Sequence, residues 1–353
     1  MSDKSNNRIM IWDNVKGILI VLVVIGHFIW DYDRGSTTPI INQIIFTFHM
    51  PVFVFTSGYF GKDEYVKNDN LKRVGSFLIM YVVFQLLMYT LFVDFPSEFS
   101  LIYPYKTAWY LFALACWRFF APYLPKKKIV FVFFLILALG VGFFPQIQNT
   151  LAIARIIAFF PFYLLGYWID VKRVSEFISN RGMKEYFTGG AILCLTGYIA
   201  YKVCTIFQFS HSALIMSPYS DMFEFLGRIA IFVISGLTIV GMICLIPNRR
   251  IWGITTMGKN SLSVYFFHRF VVIGCMAYLP EELSCSTFIM ITILGTAFIC
   301  ALFGNDYVGI RIKKLVKWIT FSIWEKENIK YFWIGLGIVF GILLVTSYYC
   351  NYV

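Results

Sequence analysis

The chain has 353 residues, of which 59% are apolar, 20% aromatic and 14% charged. A soluble domain carries about 25% charged residues; with a mean hydropathy of +0.72, this chain has too little polar surface to face water on all sides and is expected to lie in lipid. The net charge of +11 does not read as a nucleic-acid footprint, because the basic residues sit in short gaps between apolar runs, as cytoplasmic loops do, and no basic domain stands apart.

The first apolar run, Val15 to Trp30, follows Lys4, Arg8 and Lys16 and could be mistaken for a signal peptide. No small-x-small cleavage site follows it; the next residues are Asp31, Tyr32, Asp33 and Arg34, so it is expected to stay as a first transmembrane helix. Further apolar runs near 40–60, 72–93, 107–122, 129–145, 150–169, 186–207, 223–246, 260–279, 286–304 and 331–350 predict an all-α polytopic bundle of about eleven spans. Several runs are shorter than the roughly 20 residues an upright helix needs, which a span lining a cavity tolerates.

Alternating these spans from a cytoplasmic N-terminus puts 24 of the 30 Lys and Arg residues in inner segments. The six others are Arg34, Lys106, Arg155, Lys202, Arg228 and Arg269. A wrong count would shift the frame and spoil the bias, so it supports an N-in, C-out arrangement in the plasma membrane. Segment 308–324 mixes Arg311, Lys313, Lys314 and Lys317 with Ile310, Ile312, Leu315, Val316, Trp318 and Ile319. It is expected to be an amphipathic helix on the inner surface, within a linker over 305–330 that joins a core over 1–304 to the last helix over 331–353.

The eight cysteines form no CxxC pair and show no metal-ligand spacing with histidine. They read as small apolar residues within helices, with a Cys275–Cys285 disulfide as the minor alternative. No metal is expected.

Ionisable groups within spans are costly and therefore functional candidates. His27 lies eleven residues after Lys16, or about 16 Å along a helix, and Asp31 follows it at i+4 on the same face. If the helix runs that far, the Asp31 carboxylate could fix the imidazole tautomer and leave the other nitrogen as a base. His49 precedes Met50 and Pro51 in the second run, and His268 adjoins Arg269 in the ninth. His211 falls in an outer loop and reads as an ordinary surface histidine. Arg155 and Arg228 interrupt otherwise apolar segments; each could bind an anion or oxyanion in a dry cavity, while Glu224 at i−4 offers Arg228 a helix ion pair instead.

Six stretches then carry a resemblance: WDNVKGILIVLVVIGH (12–27), FHMPVFVFTSGYF (48–60), LKRVGSFLIMYVVF (71–84), TAWYLFALACWR (107–118), RIIAFFPFYLLGYWI (155–169) and MGKNSLSVYFFH (257–268). Together, and in this order, they resemble the acyltransferase family 3 membrane proteins, in particular the fucose 4-O-acetylase-like branch. That family marks its first helix with a basic residue, ten intervening residues and a histidine. Here these are Lys16 and His27, with lysine replacing the commoner arginine and its bidentate fork. The resemblance implies a ten-helix core plus one added C-terminal helix. It implies His27 as the essential histidine, with His49, Arg155, Arg228 and His268 as supporting members, beside the Asp31 that the helix spacing suggests. It also implies Lys16, Lys72 and Arg73 as the cations that hold the phosphates of acyl-CoA. The expected activity is transfer of an acyl group, usually acetyl, from cytoplasmic acyl-CoA to a hydroxyl of a cell-envelope sugar, glycan or lipid-linked precursor. The expected partners are those two substrates and membrane lipid, with a homo-oligomer open. The alternative is a transporter of a small polar solute on a related bundle, which an inverted repeat would favour; none is visible.

Overall fold

The structure is a computed structural model that describes residues 9–32, 40–62, 67–93, 99–207, 218–280 and 283–324. The expected last span over 331–350 and His211 lie outside them. The described residues form an all-α bundle: α1 (Met10–Tyr32), α2 (Ile40–Gly61), α3 (Lys67–Phe92), α4 (Trp109–Phe120), α5 (Lys128–Gly140), α6 (Ile153–Trp168), α7 (Val171–Ser179), α8 (Met183–Phe207), α9 (Met222–Leu245), α10 (Ile254–Lys259), α11 (Ser261–Ala277), α12 (Cys285–Phe303) and α13 (Asp306–Trp324). Among the described residues, seven helices are long and apolar enough to cross a membrane: α1, α2, α8, α9, α12, the Asn70–Phe92 part of α3, and α6 with the turn before it from Thr150. The apolar stretches Lys128–Phe143 and Ser261–Ala277 are shorter. This is an integral membrane protein.

The first ten expected segments each coincide with a helix. Three further helices, α7, α10 and α13, lie between or after them. α7 was hidden because it is a short amphipathic helix that turns only Val174 and Ile178 inward. Asp170 caps it, accepting from the backbone N–H groups of Lys172 at 3.0 Å and Arg173 at 3.3 Å. Those amides, that of Arg173 foremost, hold the Asp170 carboxyl below its ordinary pKa. α13 covers the segment read as amphipathic. Asn260 ties it down, donating to Asp306 Oδ1 at 2.8 Å, while Lys313 donates to Asn260 Oδ1 at 3.1 Å. Cys275 and Cys285 are free thiols.

Close helix contact comes from glycine rather than from hydrophobic force, since lipid is as apolar as leucine. α2 packs along α6. A Cβ on Gly58 would strike the carbonyl of Tyr163, and one on Gly166 would strike that of Phe55, so the two backbones touch at reciprocal glycines. α1 meets α10 in the same way through Gly17 and Gly258.

Proline shapes α2. Pro51 has no N–H to give Thr47, four residues earlier. Ser235 of α9 replaces that bond, donating its hydroxyl to the Thr47 carbonyl at 2.7 Å. The break sits two residues past His49. Farther along the chain, the C-terminal carbonyls of α9 are satisfied by Arg181, which donates to Ile243, Cys244 and Ile246 at 2.6, 3.1 and 3.0 Å.

Candidate active site

A cavity of about 250 Å³ opens among α1, α2, α6, α11 and the loop that enters α4. His27 and Trp30 of α1 line it, with Phe46, His49 and Met50 of α2. Lys106, Thr107 and Trp109 approach from the α4 side, Arg155 from α6, and Tyr265 and Arg269 from α11.

His27 packs against His268 with ring centroids 5.1 Å apart. His268 is fully buried behind it, and its Nδ1 meets the carbonyls of Tyr265 at 2.6 Å and Val264 at 3.2 Å. His49 Nδ1 meets the carbonyl of Ile45 at 2.8 Å. A carbonyl can only accept, so in the neutral ring Nδ1 carries the proton and Nε2 keeps the lone pair in both residues. His27 is different: its Nδ1 is sealed from solvent and has no hydrogen-bond partner among the described residues.

Asp31 does not fill that role. α1 does extend to Tyr32, as the i+4 reading requires, but the Asp31 carboxylate faces another helix. Arg269 Nη1 reaches Asp31 Oδ2 at 2.9 Å and Arg269 Nη2 reaches Oδ1 at 3.2 Å. The two groups face each other as a fork across α1 and α11, with one hydrogen bond, from Nη2 to Oδ1, and one ionic contact, between Nη1 and Oδ2. Its side chains are 1% and 12% exposed, so the pair is largely desolvated.

Arg155 reaches the cavity with its guanidinium carbon 5.7 Å from the centre of the Trp109 ring. Its Nε has no hydrogen-bond partner among the described residues. Arg228 is elsewhere. It lies over Tyr219 at 4.2 Å and is not part of the cavity wall. The i−4 carboxylate of Glu224 accepts the backbone N–H of Ser220 at 2.7 Å, closing the start of α9 on itself. The structure therefore brings His27, His49 and Arg155 together around one space, with His268 stacked behind and Asp31 held through Arg269, and leaves Arg228 outside.

Lys16, Lys72 and Arg73 lie toward the N-terminal ends of α1 and α3, away from the cavity wall. Lys16 Nζ is 3.4 Å from Asp13 and 4.0 Å from the centre of the Phe60 ring. Lys72 is half-buried and Arg73 exposed. Lys106, Thr107, Trp109, Tyr265 and Arg269 were not among the expected site residues. The signal was present for two of them, since Lys106 and Arg269 are among the six cations that depart from the inward bias. Among the described residues, no cluster of three or more His, Cys, Asp or Glu could hold a metal ion.

The chain is 33% identical over 84 residues to the nodulation protein NolL of Sinorhizobium fredii (strain NBRC 101917 / NGR234), covering 22% of this chain and 23% of that protein. It is 32% identical over 108 residues to the NolL of Mesorhizobium japonicum (strain LMG 29417 / CECT 9101 / MAFF 303099), covering 29% and 28%. The chain thus aligns with about a quarter of the length of these curated relatives. No solved structure matches it. A family model described as an acyltransferase domain matches residues 11–305, nearly the whole helical core that surrounds His27, and the chain belongs to that acyltransferase family.

Proposed function

We propose that this protein is a membrane O-acyltransferase of the fucose 4-O-acetylase-like branch. It moves an acyl group, acetyl in the first instance, from cytoplasmic acyl-CoA to a hydroxyl of a cell-envelope sugar, glycan or lipid-linked precursor. The observation that carries the reading is His27, on the cavity wall, backed by His268 and facing the same space as Arg155.

In the proposed step the His27 imidazole takes the proton of the acceptor hydroxyl. The freed oxygen bonds to the thioester carbonyl carbon, and the negative charge that develops on the carbonyl oxygen is met by Arg155. The C–S bond then breaks, and the proton on His27 passes to the departing sulfur, so CoA leaves as a thiol. His268 and the backbone carbonyls behind it orient the imidazole, and the Arg269–Asp31 fork fixes α11 against α1. Arg228 acts only through the packing of α9 in this scheme, which is narrower than the site implied by the resemblance.

The N-in, C-out arrangement of ten core helices plus one suits a division of the two substrates. Lys16, Lys72 and Arg73 would hold CoA phosphates at the inner end, about 16 Å of helix from His27. The test is transfer of label from radiolabelled acetyl-CoA by the purified protein to extracted envelope glycans, for wild type and His27→Ala. Label in glycan from wild type alone is the expected outcome. A folded, CoA-binding His27→Ala protein that acylates at the wild-type rate would sink the scheme.

A further inference from the structure

Cations outside the cytoplasmic segments need a local reason, because the membrane gives them none. Of the six that depart from the inward bias, Lys106, Arg155 and Arg269 line this one cavity. Asp31 neutralises Arg269 through the ion pair across α1 and α11. Lys106 and Arg155 make no ion pair among the described residues, and the rest of the wall is mainly aromatic and aliphatic. A bound neutral molecule would leave the Arg155 charge uncompensated in that setting, at a desolvation cost.

The mouth around these two cations is also where the backbone is held in unusual conformations. The non-glycine residues with left-handed backbone among those described are Lys106 (φ 52°), Leu151 (φ 51°) and Ala152 (φ 51°). All three sit in the two loops at this mouth, and the loops are joined by Leu151 N–H donating to the Ile102 carbonyl at 2.6 Å. Such a backbone conformation is costly for a residue with a side chain and persists where surrounding structure enforces it. α4 and α6 start at these loops, and the first amides of a helix lack intrahelical acceptors and carry partial positive charge. Thr107, just before α4, is buried and lines the cavity, and its hydroxyl has no hydrogen-bond partner among the described residues. Arg155 Nε is likewise without one.

We propose that the cavity mouth at Lys106, Thr107 and Arg155 binds an anionic oxygen group, a phosphate or carboxylate, carried by the acceptor. Acceptors are then acidic or phosphate-bearing sugars rather than neutral ones. This names the acceptor class of the acyltransferase reading above and rests on it. Lys106, exposed at the opening, meets the anion first; Thr107 and Arg155 complete the contact within. The bound anion sits on the side of the cavity away from Lys16, leaving the inner end to the acyl donor.

The experiment uses the full chain in phosphatidylcholine nanodiscs, as wild type, Lys106→Gln and Lys106→Arg. Binding of glucose, glucose 1-phosphate and glucuronate is measured by calorimetry without acetyl-CoA, and acetyl transfer to the same three sugars is measured beside it. At least tenfold tighter binding of an anionic sugar than of glucose is expected, lost in Lys106→Gln and kept in Lys106→Arg, with the KM for acetyl-CoA unchanged. The phosphate and carboxylate arms report which group fits. Replacing the lipid with phosphatidylglycerol tests the source of the anion: competition with the sugar phosphate assigns the site to a phosphate borne on lipid. Equal binding of all three sugars, absence of binding, or an unchanged preference in Lys106→Gln overturns the proposal. Anion preference without any acetyl transfer keeps the anion site and removes the acyltransferase reading, whereas transfer without preference does the reverse.

Discussion

α2 and α8 are of similar length, yet they live in different surroundings. About 67% of the apolar window of α2 is buried inside the protein, against 17% for α8. α2 carries His49, Pro51 and Gly58, and each is answered by a partner on another part of the fold or on the helix itself. α8 turns Leu195, Tyr198 and Ile206 outward, exposed on the surface of the described bundle. Apolar composition alone does not separate the two. What separates them is how far polar and small residues on the helix are used by neighbours: α8 sets Gly189 against Cys244, but Gly190 and Gly197 meet no heavy atom within 4 Å among the described residues.

The sharpest way to break this contrast is to put bulk into the α2–α6 seam. Gly58→Leu or Gly166→Leu drives a side chain into a facing backbone carbonyl that cannot rotate away. The cost should exceed the roughly 1–3 kcal/mol of ordinary overpacking, and the expected readout is loss of the monodisperse peak in size-exclusion chromatography. Next in size is Asp31→Ala, which leaves Arg269 charged and almost sealed. A loss of about 3–5 kcal/mol is expected, seen as a lower unfolding midpoint in detergent, and Asp31→Ala/Arg269→Met should regain most of it. Equal midpoints for the single and double variants would mean that the fork does not hold α1 to α11.

A smaller effect belongs to Ser235→Ala. The Thr47 carbonyl freed by Pro51 then has no donor from α9, which costs about 1–3 kcal/mol for a buried acceptor. The proposed acyl transfer should fall with it, because His49 sits on the same turn. The smallest effect sharpens the comparison from the other side. Gly197→Ala in α8 meets no heavy atom within 4 Å, so it should fold normally, with a helix-propensity gain of at most about 1 kcal/mol and transfer within about twofold of wild type. A large loss there would mean that α8 faces a protein partner rather than lipid.

The bundle was legible because apolar runs of span length are a strong signal, and all ten described runs became helices. His27, His49 and Arg155 stood out for a related reason, since a polar group in such a run needs an explanation, and the structure places all three on the wall of one cavity, with His268 behind His27. The Asp31–Arg269 fork was not, because its partners are 238 residues apart and each has a nearer candidate in sequence. Asp31 has His27 one turn away, and Arg269 adjoins His268. Arg228 misled in the opposite direction. Its isolation among apolar residues suggested a cavity cation, whereas the ring of Tyr219, from the segment just before α9, takes its charge. Lys106 was passed over because a loop lysine carries no information until its backbone conformation and its neighbours are known.

Asn14 shows how late the first helix acquires its partners. Its side-chain amide donates to the carbonyls of Pro247 and Arg249, both at 2.9 Å, and its Oδ1 accepts from the Thr255 hydroxyl at 2.6 Å. These groups lie 233 to 241 residues downstream. At about 5–20 residues per second of synthesis, α1 waits on the order of 10–50 s on the ribosome-bound chain before they exist. During that interval the amide of Asn14 must remain in water, at the lipid headgroups or inside the insertion machinery. α1 is thus locked late, and quality control of the nascent protein has a defined event to sense in the arrival of residues 247–255.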